Sequence, residues 1–257
     1  KLGAEVLAVN PFASTAASTA AEPDVQRARV GELVRASGSE LGYVVDGAGE
    51  QATIVDDTGH PLSSTEALLA LLRLVVAVDP TARVALPVTT TQQAARLVEA
   101  GGGHVVWTKH ADASLMAVAS DRGIRFAGSS RGGFIWPRFL PAYDAMATLA
   151  HLLDLLAETD RRLSAIVAEL PPVHVVHDTV PTPWERKGAV MRELVEHPPA
   201  GDVVLIDGVK VVGRDGWTLL LPDPEEPVTH VWAEAGSDEA ARRLAHERMA
   251  VVEQALR

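Results

Sequence analysis

No cysteine occurs in the 257 residues, which removes disulfides, thiolate nucleophiles and Cys-based zinc sites together. Long apolar runs are also missing: the richest, Leu69 to Ala77, is broken by Arg73 and falls well short of the ~20 residues a membrane helix needs. Basic residues are in the minority, 23 against 34 acidic ones for a formal charge of −11, and only Trp184 to Lys187 and Ala241 to Arg243 approach a cluster. Such a balance repels nucleic acid and anionic membranes, so neither is expected as a partner. No basic and apolar leader opens the sequence, and a cytoplasmic location is expected. The nine histidines never fall in a His-x-Glu or His-Glu-x-x-His spacing. His174 and His177, three apart on a presumed strand, point to opposite sides, and the histidines read as isolated. Nucleophile elbows, Walker loops and dinucleotide-binding glycine loops are absent as well.

What is present, 47% hydrophobic residues in alternating short runs, is enough to build a sizeable core. Ala4 to Val9 reads as a strand closed by Asn10-Pro11, so the sequence is expected to begin inside a domain. Pro23 to Ala36 reads as a helix, and Ser63 to Glu66 as a serine and threonine helix start before the buried helix Ala67 to Val78. Asp79-Pro80 is the expected domain boundary. Strand Arg83 to Val88, helix Thr91 to Ala100 and strand His104 to Thr108 form a βαβ unit. A short helix near Ala113 to Ser120, strand Ile124 to Ala127, and helices Ala145 to Glu158 and Leu163 to Leu170 follow, the last stopped by Pro171-Pro172. From about Pro181 the pattern changes to helix Trp184 to Glu196, four short strands between Val203 and Ala233, and helix Ser237 to Leu256. The expected class is α/β: two α/β domains with mixed sheets covered by helices, the first incomplete, then a smaller α+β domain.

Two loops carry candidate chemistry. Between the apolar runs ending at Val45 and beginning at Ala52, Asp46-Gly-Ala-Gly-Glu50 either turns the chain or supplies Asp46 and Glu50 to magnesium, which takes one or two carboxylates and fills its shell with phosphate and water. After the strand at Ala127, Gly-Ser-Ser-Arg-Gly-Gly133 is either a plain turn or an anion cradle using Ser129, Ser130 and Arg131.

In their order along the chain these pieces resemble the α-D-phosphohexomutases, the phosphomannomutases and phosphoglucomutases. Leu2 to Pro11 looks like the entry to the second half of that family's domain 2. Leu41 to Gly59 looks like its metal loop, Phe126 to Phe134 like the sugar loop of domain 3, and Asp207 to Val211 with Trp217 to Pro227 like the approach to the phosphate loop of domain 4. The resemblance implies residues 1–78 as a partial metal-loop domain, 79–180 as the sugar-loop domain and 181–257 as the phosphate-loop domain. It further implies a hexose phosphate as ligand, the missing N-terminal domains of the same chain as partners, and a homo-oligomer. The phosphoserine on which the family's catalysis depends would lie upstream.

The scaffold positions match while the chemical ones depart. Ala48, Glu50 and Gln51 stand where the family has two further metal acids and an arginine. Ser129 stands for a glutamate and Arg131 for a serine in the sugar loop; Leu221, Asp223, Pro224 and Glu225 replace the arginine, serine, glycine and threonine of the phosphate loop. A loop of Asp-Pro-Glu-Glu presents three acids and one residue without an N–H to a dianion. Charge-assisted hydrogen bonds contribute roughly 1.5–3 kcal/mol each, so losing three or four weakens phosphate binding by about three orders of magnitude or more. The expectation is a catalytically degenerate module. Phe134 to Asp144 resembles the form carried by long bacterial chains with a mannose-1-phosphate guanylyltransferase upstream, which implies nucleotide-sugar synthesis.

Overall fold

Apolar runs and turn residues resolve into three packed groups of elements in the computed structural model, which describes residues 3–9 and 23–256. Residues 4–9, expected as a strand, carry no regular structure, and Val6 is 82% exposed. Without a pairing strand an extended segment leaves its N–H and C=O groups to water. The expected stop at Asn10-Pro11 lies outside the described residues. Helix α1 (Pro23–Ser37) then packs on an antiparallel hairpin of β1 (Gly42–Val45) and β2 (Ala52–Val55), with Tyr43 opposite Ile54.

Helix α2 (Ser64–Val78) starts as the sequence predicts. Ser63 Oγ accepts the Glu66 N–H at 3.2 Å while the Glu66 carboxylate accepts the Ser63 N–H at 2.8 Å, a reciprocal cap. Its residues are apolar on nearly every side, and a helix of that kind must be enclosed. It is: Leu68, Leu71, Leu72 and Leu74 are buried in one core with strand β3 (Arg83–Pro87). Helices α3 (Gln92–Ala100), α5 (Ala145–Thr159) and α6 (Leu163–Ala168) surround α2. Asp79-Pro80, expected as a boundary, is therefore a tight link within a single core.

The sheet of this second group runs β4 (His104–Thr108), β3, β5 (Phe126–Gly128), β6 (Phe134–Trp136), β7 (Leu140–Tyr143). The first three strands are parallel and the last two antiparallel, so the sheet is mixed. Helix α4 (Asp112–Ala119) covers the opposite face, its Leu115 packing with Ala85 and Ile135. The chain order reverses at β3, whose neighbours β4 and β5 both follow it; in open α/β sheets the carboxyl ends beside such a point are where ligands are received.

The third group is a wholly antiparallel sheet, β8 (Val175–Pro181), β12 (Val228–Ala235), β11 (Gly216–Pro222), β10 (Val209–Val212) and β9 (Asp202–Val204), with α7 (Trp184–Glu196) and α8 (Asp238–Ala255). Because β8 joins this sheet from Val175, the division expected at 180/181 falls earlier, near Pro171-Pro172. Strand periodicity gives the sheet two covered faces. Val209, Val211, Leu220, Val231 and Ala233 pack under α7 and α8. Trp217, Leu219 and Trp232 pack instead against Val88 of the second group, with Trp107 beside them. Among the described residues no helix is long and apolar enough to cross a membrane.

Candidate functional site

The turn between β1 and β2 spends its acid on itself. Asp46 Oδ1 accepts the N–H groups of Glu50 at 2.8 Å and Gln51 at 3.0 Å, and the Asp46 carbonyl accepts the Gly49 N–H. Gly49 has φ +76°, the left-handed conformation that lets so short a turn close. Glu50 is exposed, and neither nearby acid joins it. Asp56 is buried as the acceptor for Thr58 and His60 N–H, and Asp57 accepts the Ser164 N–H and hydroxyl at the start of α6. Among the described residues no three His, Asp or Glu side chains could hold a metal ion. The acids present do not fit the magnesium site that the resemblance implied.

Main-chain bonds tie this hairpin to the β5–β6 turn: Gln51 bridges Gly133, and the Ala52 N–H donates to Gly132 O at 3.2 Å. In that turn Ser129 is buried, its N–H donating to Gly133 O and its carbonyl accepting from Gly132, while Ser130 is half-buried. The N–H groups of Ser129 and Gly132 thus close the turn. Arg131 extends from it and pairs with Asp112 at the start of α4, whose carboxylate also accepts the Tyr143 hydroxyl at 2.7 Å. Burial, then the bond to Asp112, pushes the Tyr143 hydroxyl up to about 12.

The segment between β11 and β12 is the third candidate loop. Asp223 Oδ1 accepts the N–H groups of Glu225 at 2.7 Å and Glu226 at 2.6 Å, and its Oδ2 accepts from His230 Nε2 at 2.8 Å. The His230 bond, then the two N–H groups, hold the Asp223 carboxyl down at about 2. Lys187, resting over the Trp184 ring at 3.6 Å, donates to Asp223 O at 2.5 Å and also to Glu226 O. Glu225 itself is exposed.

The histidines correct the sequence reading, which took them as isolated. His230 Nδ1 and His177 Nε2 lie 3.0 Å apart, and His177 stacks on Trp232 with ring centroids 4.3 Å apart. His110 reaches the same Trp232 ring at 5.4 Å, held by Thr89 Oγ1 at its Nδ1 and by Asp207 at its N–H. An ionised Asp223 can only accept, so His230 donates from Nε2; in neutral His230, Nδ1 then accepts from His177. Burial, reinforced by His230, keeps His177 below the usual imidazole range; burial, reinforced by Arg131, does the same for His110. Arg131 and Asp223, on different loops, therefore flank one histidine cluster at the carboxyl ends of β3 and β4. His174 stands apart, bonded to Asp238 at 2.8 Å. The cluster arises from the pairing of His177 opposite Trp232 across 55 residues, a register that local spacing does not carry.

An α/β sheet thus meets an α+β sheet at its switch point, with the Arg131 and Asp223 loops beside the histidine cluster at the junction. Residues 65–174 match the family model described as phosphoglucomutase/phosphomannomutase, alpha/beta/alpha domain III. The chain is 32% identical over 258 residues to a probable phosphoglucosamine mutase of Methanopyrus kandleri, covering 98% of this chain and 57% of that one. It superimposes on a phosphoglucomutase/phosphomannomutase family protein of Burkholderia thailandensis with a TM-score of 0.75 and 25% identity, over 91% of this chain and 50% of the other. An N-acetylphosphoglucosamine mutase of Aspergillus fumigatus, solved with GlcNAc-6P and magnesium, shares the fold at a TM-score of 0.58 and 12% identity, over 84% and 49% of the two chains. Residues 65–174 thus carry the family's domain III, and the relatives and structural neighbours of the chain are α-D-phosphohexomutases. The chain spans about half the length of the relatives it matches.

Proposed function

We propose that this chain is a catalytically degenerate phosphohexomutase-like module of sugar-phosphate metabolism, with a structural or regulatory task in a longer chain of the nucleotide-sugar type. The observation that carries this reading is Asp223. Its carboxylate takes the Glu225 and Glu226 N–H groups, donors that a loop binding phosphate would direct at its ligand. An internal anion thus fills the turn, with Glu225 and Glu226 adding charge of the same sign. Arg131 is neutralised by Asp112, and the Asp46 carboxylate closes its own hairpin.

A second reading is favoured by the names of the relatives: a portion of an active phosphohexomutase, moving phosphate between C1 and C6 through an upstream phosphoserine. A coupled mutase assay of the full-length protein, with a bisphosphohexose activator, separates the two. Degeneracy predicts turnover at blank level in both the parent and Asp46→Ala. Turnover in the parent that Asp46→Ala abolishes would sink it. Calorimetric titration with mannose 1-phosphate tests whether the module serves as a sensor, and a flat isotherm at millimolar ligand removes that role.

A further inference from the structure

Two charges project from the third sheet into the second group of elements, and both are buried. Lys210, on β10, is 4% exposed, and Glu234, on β12, is 5% exposed. Lys210 Nζ donates to Val88 O at 2.6 Å, just past β3, and sits 4.0 Å from the Trp217 ring centre and 4.8 Å from that of Trp107. Glu234 Oε2 accepts the Trp217 indole N–H at 2.6 Å and the Gln92 N–H at 3.0 Å, at the first turn of α3. Asp207 adds a third tie, accepting the His110 N–H at 2.8 Å. Around them Val88, Trp217, Leu219 and Trp232 form a buried apolar cluster.

Each charge is matched to the pole it meets. The ammonium ends on a carbonyl and between aromatic faces, and the carboxylate ends on the positive end of a helix. Separating the two groups would strip Lys210 of the Val88 carbonyl and Glu234 of the Gln92 N–H, leaving each charge with Trp217 alone until water entered. An unpaired buried charge is among the costliest defects a fold can carry. An interface held only by apolar contacts can slide; one held by two buried charges of opposite sign at separate points has a single register.

The geometry points to a two-point electrostatic latch: Lys210 and Glu234 lock the antiparallel sheet onto the carboxyl ends of β3 and β4, so that residues 64–256 move as one body. The spacing between the Arg131 turn and the Asp223 loop is then fixed in the free protein. This inference is independent of whether the module turns over a sugar phosphate.

The absence of native cysteine makes the test direct. Spin labels at Ser120→Cys, after α4, and Glu196→Cys, at the end of α7, report the distance between the two groups by pulsed electron paramagnetic resonance. The parent chain should give one narrow distance distribution, and the same pair in Lys210→Met with Glu234→Gln should give a broadened or split one, with its circular dichroism spectrum retained. A broad distribution in the parent overturns the latch, as does a distribution equally narrow in the folded double variant. Should the double variant fail to fold, Glu234→Gln alone decides: hydrogen exchange at the Gln92 amide should accelerate at least ~10-fold, and an unchanged rate overturns the proposal.

Discussion

At the scale of single residues, Asp223 decides the most. Its carboxylate sits where an anion would, so Asp223→Ser should release the Glu225 and Glu226 N–H groups and lower the local negative charge. The expected result is a gain of inorganic phosphate binding, from none at millimolar concentration to a measurable isotherm, read by calorimetry. The same residue contributes to acid stability. Its carboxyl is depressed to about 2 in the folded chain, from an ordinary 3.8, so its stabilising effect is complete above the ordinary value. That effect fades as pH falls through about 2 and is absent in Asp223→Ser. Lys210 carries the opposite charge and titrates at the other end of the scale, with the same sign of pH dependence. Burial lowers its amine from 10.5 to about 8, although Glu234 works against the shift. Between those values the unfolded chain holds a proton that the folded chain has released, so stability rises with pH from about 8 to about 10.5. Denaturant titrations across that range should show the rise in the parent and lose it in Lys210→Met.

Among the elements, α2 carries the greatest share of the core, and its removal should be felt throughout. Leu72 is fully enclosed, and Leu72→Ala should cost about 2–5 kcal/mol in chemical denaturation. Ser63→Ala breaks the reciprocal cap and should cost about 1 kcal/mol. These features were legible in the sequence because they are local. The Ser63 cap, the apolar run behind it, the Thr91 start of α3 and the Ser237 start of α8 all lie within a few residues of the elements they define. The β6–β7 hairpin was not legible, since its strands are three and four residues long and Pro137 lies between them. Ala4 to Val9 misled in the other direction: its residues suit a strand, but pairing decides a strand, and the described residues supply none. The histidine cluster failed to declare itself for a related reason. His177 and His230 lie on β8 and β12, His110 in the loop after β4, and all three meet on Trp232.

For the molecule as a whole, both faces of the third sheet are covered, one by its own helices and one by the preceding group. The alternation of Lys210, Trp217, Leu219, Trp232 and Glu234 with Val209, Val211, Leu220, Val231 and Ala233 is the sequence trace of that arrangement. Charged residues among apolar ones on a single strand face are what a docking face requires, and what a solvent face would show in far greater number. Charge removal at Lys210 and Glu234 should therefore move interdomain distances before it moves secondary structure. The ties between Gln51 and Gly133 and between Ala52 and Gly132 have a different consequence. They run through the main chain alone, so the relative posture of the two turns does not depend on which side chains the turns carry. A frame of that kind tolerates drift at its tips and stays available for reuse. Re-equipping it with acids and basic groups of another specificity is then a matter of grafting a few side chains onto turns whose posture is already fixed.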